Sequence, residues 1–193
     1  LRKDPIMTST DLVPARPAPP RLRILIAQAA LGSLIPLAIV AVALWPRIHL
    51  LGLDRLPPLH LRTPEFWRIA AAGPVIQLHL AGVAVAILIG AVLLVGVKGT
   101  LVHRTLGWSW VLAMMTAAVS SLFIREINHG HLSFIHVLSG WTILALPMGV
   151  AFARRHRVKA HARMMTGLFT GGLVLAGLFA FIPGRLMWQV VFG

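Results

Sequence analysis

Five long apolar runs, almost free of charge, divide this chain, and a water-soluble fold of 193 residues has no room to hide that much hydrocarbon. They are Ile24 to Trp45, Val75 to Val97, Leu106 to Ile124, Ile135 to Ala153 and Met164 to Phe181. Each is near the ~20 residues that a helix needs to cross ~30 Å of bilayer. A mean hydropathy of +0.83 agrees. The runs are rich in Leu, Val, Ala and Gly, and in lipid a span of this length satisfies its backbone within one helix, so helices are expected and no strand. The expected fold is all-α: a polytopic membrane protein of five transmembrane helices, the last four forming a four-helix core.

That core has a peripheral companion. The first run carries no His and no charge, and Pro36 should kink it by removing a backbone donor. It is too long and too apolar for the core of a signal peptide and reads as an uncleaved anchor. Residues 1–23, with Pro5, Pro14, Pro17, Pro19 and Pro20, form an extended or disordered cytoplasmic arm, and residues 24–193 a single transmembrane domain. Within it, 46–74 is an outer loop that could cap the outer site. There Thr63-Pro64-Glu65 reads as an N-cap, a first-turn proline and an early acid, with Phe66, Trp67 and Ile69 at the outer interface.

Charge sets the orientation. Arg2, Lys3, Arg16, Arg21, Arg23, Lys98, Arg104, Arg154, Arg155, Arg157, Lys159 and Arg163 fall on one side, and Arg47, Arg55, Arg62, Arg68, Arg125 and Arg185 on the other. The richer side is expected inside, so the N-terminus is cytoplasmic and the C-terminus outside, in a bacterial inner membrane. A net charge of +13 would suggest nucleic acid in a soluble protein. Here the cations flank apolar spans, where membrane lipids are the expected partners and nucleic acid is not.

Four histidines carry the chemistry. His79, His103, His136 and His161 each lie near the start of a different apolar run. Because successive helices alternate in direction, His79 and His136 belong to the outer layer, His103 and His161 to the inner, about 20 Å apart. Paired imidazoles at two depths are a ligand set for two b-type haems. Gly82, Gly107 and Gly140 follow three of these histidines by three or four positions and would clear space for a porphyrin edge. Each ligating ring would need its other nitrogen fixed by a backbone carbonyl, Ser or Thr. Propionates would find Arg104, Arg157, Lys159 and Arg163 inside, or Arg125, His129 and His131 outside.

Other residues read more plainly. His49, His60, His129, His131 and His156 are loop histidines, Trp108, Trp110 and Trp141 interface anchors, and Met114, Met115, Met164 and Met165 packing. Cysteine is absent, so any haem is held without covalent links. No acid lies within a run, which argues against a carboxylate-driven pump or an ion-coupled transporter. The other reading is a haem-free accessory or assembly subunit of a larger respiratory or photosynthetic membrane complex.

Lys98-Gly99 followed by His103-Arg104-x-x-Gly107, with a later His161-x-Arg163-Met164-Met165, resembles the bacterial membrane-protein family of domain of unknown function 2306. Ala162 stands where that family commonly has a basic residue. The resemblance covers about Gln77 to Phe169. More distantly, histidines on four helices after a first helix without one are similar to the diheme transmembrane cytochrome b reductases that oxidise ascorbate. That resemblance implies haem ligation by His79 with His136 and by His103 with His161, without implying ascorbate as donor.

Overall fold

A computed structural model of the chain describes residues 27, 31–38, 41–42, 63–124, 134–183 and 185–192. All regular structure among them is helical. We label residues 31–38 α1, Trp67–Ala71 α2, Pro74–Val95 α3, Leu101–Ser121 α4, Phe134–Arg154 α5, Val158–Phe181 α6 and Leu186–Val191 α7. Three are long and apolar enough to cross a membrane: α3, α5 from Ile135, and α6.

The helix α4 has 21 residues but a more polar composition, with His103, Arg104, Thr105, Ser109, Ser120 and Ser121. It is also well enclosed, burying Trp110, Ala113, Met114, Ala117, Ala118 and Ser120. A helix surrounded by other helices meets less lipid and can carry hydroxyls that bond within the bundle. It begins at Leu101, five residues before the apolar run, because Thr100 Oγ1 accepts the His103 amide at 3.1 Å. Gly99 makes the preceding turn at φ 79°, a left-handed conformation open to glycine.

One core joins α3 to α6. Ala86 of α3, Trp110, Ala113 and Met114 of α4, Ala145 and Leu146 of α5, and Leu168 and Leu173 of α6 form a continuous buried cluster. Trp110 is an exception to the expected interface role. It is 4% exposed, and its Nε1 donates to Ala86 O at 3.0 Å, so the indole is a core residue with its polar atom satisfied. Trp108 is 56% exposed, as an interface residue should be.

The described part of the first apolar run packs on α6 through small residues. A Cβ at Gly32 would fall 2.7 Å from Gly167 Cα, and one at Gly171 2.6 Å from Pro36 Cβ. Ser33 Oγ and Thr170 Oγ1 share a hydrogen bond of 2.5 Å across this seam. Close backbone approach over small residues is a common way for helices to associate in lipid. Opposite Pro36, residues Leu168–Leu175 of α6 wind as π-helix.

Two details of the segment before α3 differ from expectation. The helix there begins at Trp67 rather than after Thr63, and its cap, Phe66, makes no side-chain cap bond. Instead the Glu65 amide donates to Val190 O at 2.9 Å, tying this segment to α7, a short C-terminal helix absent from the sequence reading. Residues 1–23 lie outside the described residues.

Candidate functional site

In the bundle α3 packs on α4, α4 on α5, α5 on α6, and α6 returns to α3 through its π-helical stretch. The helices α3 and α5 are therefore diagonal partners, as are α4 and α6. Helices α3 and α5 start at the same end, so His79 and His136 share that end on one diagonal. Helices α4 and α6 start at the opposite end, where His103 and His161 share the other. The Trp110, Met114, Leu146 and Leu168 cluster belongs to the core of the same four helices.

At the first end, His79 Nδ1 lies 2.9 Å from Ala117 O of α4. A carbonyl only accepts, so this nitrogen carries the hydrogen, and in the neutral ring the lone pair is on Nε2. Ser120 Oγ is 3.4 Å from the same Nδ1 and donates to Thr116 O at 2.6 Å. Next to it, Ser121 Oγ meets Ser139 Oγ at 2.5 Å and links α4 to α5. Ser139 is one turn beyond His136, which is only 6% exposed. His136 Nε2 is enclosed and has no hydrogen-bond partner among the described residues, although the residue takes part in another interaction.

At the second end, His161 Nδ1 lies 2.8 Å from Gly149 O of α5, which again places the lone pair of a neutral ring on Nε2. Gly149 is buried where a Cβ would strike Met165 and press on Met164, confirming packing roles for both methionines. His103 precedes the apolar stretch of α4 and is half-buried. Its pKa is held below the ordinary histidine value, first by burial and then by the neighbouring charges of Lys98 and His161. This coupling places His103 and His161 in one electrostatic neighbourhood. Arg104 and Arg163 lie at this end too, both exposed, as are Arg157 and Lys159.

The glycines test whether a flat macrocycle fits. At Gly82 it does not: a Cβ would sit 3.2 Å from both Ala113 O and Ala117 N, so α4 already fills the space beside His79. That glycine serves helix packing, contrary to the porphyrin-clearing role expected for it. At Gly107 and Gly140 a Cβ would meet nothing within 4 Å, although the ring of His136 itself is enclosed. At His79 and His161 the donor chemistry fits haem, since a neutral imidazole anchored through Nδ1 keeps Nε2 for iron.

Among the described residues no cluster of three or more His, Cys, Asp or Glu side chains is placed to hold a metal ion, a test that a two-histidine haem site would not meet. Arg125, His49, His60, His129 and His131 lie outside the described residues. Sequence reasoning did not single out Ser120, Ser121 and Ser139. Their signal was available: hydroxyls within an apolar helix need a partner inside the bundle. Comparison with protein families, curated proteins and solved structures finds no match.

Proposed function

We propose that this chain is a cytochrome-b-like electron carrier of the bacterial inner membrane, with five transmembrane helices, a cytoplasmic N-terminus and an external C-terminus. His79 with His136, and His103 with His161, would each hold one b-type haem. The observation that carries the reading is the placement of these histidines in twos, on opposite diagonals at opposite ends of one four-helix core. The similarity of His103-Arg104-x-x-Gly107 and His161-x-Arg163 to the bacterial family, and of the histidine order to diheme cytochromes b, points the same way.

Haem supplies a one-electron couple; the chain supplies ligands, orientation and a low-dielectric surround. The carbonyls of Ala117 and Gly149 fix the rings of His79 and His161, and hydrogen bonding at Nδ1 raises the basicity of Nε2. Arg104 and Arg163 offer guanidinium groups to propionates at the basic end. In the membrane the core residues between the two ends exclude water.

The test is a reduced-minus-oxidised absorption spectrum of the full chain, purified after expression with ample haem precursor. We expect a b-type spectrum with two haems per chain. A colourless protein, folded and with all four histidines intact, would overturn the reading.

One observation favours the alternative, a haem-free accessory subunit of a larger membrane complex: Gly82 is filled by α4, as ordinary helix association requires. That reading expects purification with stoichiometric partners and no redox spectrum.

A further inference from the structure

We propose that the α4–α5 edge at the basic end binds an anionic phospholipid, its phosphate between Arg104 and Arg154 and an acyl chain along Trp108 and Leu112. The inference rests on the membrane reading, and it takes Arg104 for the lipid phosphate, which leaves Arg163 to a propionate where haem is bound.

Among the described residues the charge at this end has no acidic counterpart. Arg104, Arg154, Arg155, Arg157, Lys159 and Arg163 are all exposed there. Glu65 is the sole acid among the described residues, and it is spent on Arg68, Nε to Oε2 2.5 Å, on the far side of the bundle. Arg104 also stands in the first turn of α4, where the helix dipole disfavours a cation unless an anion lies nearby.

The same edge is built to fix a headgroup. The Arg154 guanidinium lies over the Trp108 ring, 5.8 Å from its centroid, which restrains its position. Arg104 precedes Trp108 by one helical turn, so it rises from the same strip of α4. The Arg154 guanidinium over the indole and that of Arg104, one turn away in sequence, can each give paired hydrogen bonds to phosphate oxygens. Below them the strip turns apolar: Leu112, one turn beyond Trp108, is 69% exposed. Beside this strip Gly107 leaves open space. A cationic head above an apolar track, at the level where a helix leaves the hydrocarbon, is the complement of a phospholipid rather than of a free anion.

The experiment uses the full chain in bilayers containing a small fraction of phosphatidylglycerol or phosphatidylcholine with brominated acyl chains, read by tryptophan quenching. We expect quenching at several-fold lower brominated phosphatidylglycerol than brominated phosphatidylcholine, and loss of that difference in Trp108→Phe. The double substitution Arg104→Gln with Arg154→Gln should abolish the several-fold preference, since two cations at roughly one kcal/mol each near a charged surface account for all of it. Arg155→Gln with Lys159→Gln should leave most of it. Equal quenching by the two lipids overturns the proposal. So does an equal loss in both double variants, which would assign the preference to the whole basic end. Displacement by inorganic phosphate at constant ionic strength would reassign the site to a free anion. Haem content measured on the same samples separates this result from the fate of the electron-carrier reading.

Discussion

The ring of His161 on α6 is tied to α5 through Nδ1, 2.8 Å from Gly149 O, and this bond can be separated experimentally from anything Nε2 does. His161→Gln keeps a donor that can reach the carbonyl but supplies no imidazole. His161→Ala removes both. If Nε2 ligates haem, both variants should lose about one of two haems, by the pyridine haemochrome assay, while in the haem-free proteins only the alanine variant loses stability, by about 1 kcal/mol. A full haem complement in His161→Gln would show that the ring is an interhelical tie and nothing more.

The glycines make a second, contrasting set. Gly167→Ala should destabilise the protein by about 1–3 kcal/mol, because the new methyl meets the backbone of Gly32 and neither helix can withdraw without opening the seam. Gly82→Ala should be milder, since its nearest neighbours stand at 3.2 Å. Gly107→Ala and Gly140→Ala meet nothing and should leave the thermal unfolding midpoint in detergent unchanged or slightly raised, alanine being the better helix former. Under the haem reading, Gly107→Leu would lower haem occupancy without lowering stability. A midpoint for Gly167→Ala equal to that of the parent would mean that the first apolar run is not seated on α6 as described.

His103 gives the protein a pH dependence whose sign follows from its lowered pKa. The folded state disfavours the imidazolium through burial, Lys98 and His161, so the unfolded chain binds the proton more readily. Stability in the haem-free protein is therefore fully present above the ordinary histidine pKa of 6.5 and declines as the pH falls through that value towards the lower folded one. Unfolding midpoints measured across this range should slope downward on acidification. His103→Gln should flatten the slope, and an unchanged slope in that variant would remove His103 as its source.

Much of the bundle was legible because its signals are additive along the sequence. The start of α3 lies within a residue of the run at Val75, since hydrophobicity summed over twenty residues outweighs any local exception. The start of α4 does not lie so near its run: Leu101 to Thr105 contain His, Arg and Thr and look like loop, and the helix there is initiated by the Thr100 cap instead of by apolar content. Likewise Trp110 was read as an interface anchor because its depth depends on Phe169 and Gly90, residues far away in sequence that close around the indole. The alternating ends of the four histidines followed from helix order alone. Which atom each ring bonds did not, because Ala117 and Gly149 act through their carbonyls, and a carbonyl leaves no mark on residue identity.

His156 sits in the turn between α5 and α6 with φ 56°, the left-handed region that a side chain other than glycine's enters at an energetic penalty. The turn needs that conformation. The Arg157 amide returns to Phe152 O at 2.9 Å and the His156 amide to Ala153 O at 3.0 Å, which closes the end of α5 and reverses the chain into α6 within three residues. Its exposed side chain forms no hydrogen bond or ion pair among the described residues that would offset the strain. His156→Gly should therefore stabilise the protein by about 1 kcal/mol, and Gly99→Ala, the reverse change at φ 79°, should destabilise it by a similar amount. Both are read as shifts of the thermal unfolding midpoint in one detergent. If His156→Gly proved less stable than the parent, the imidazole would have to hold a contact beyond the backbone turn, and the basic end of the bundle would be where to look for it.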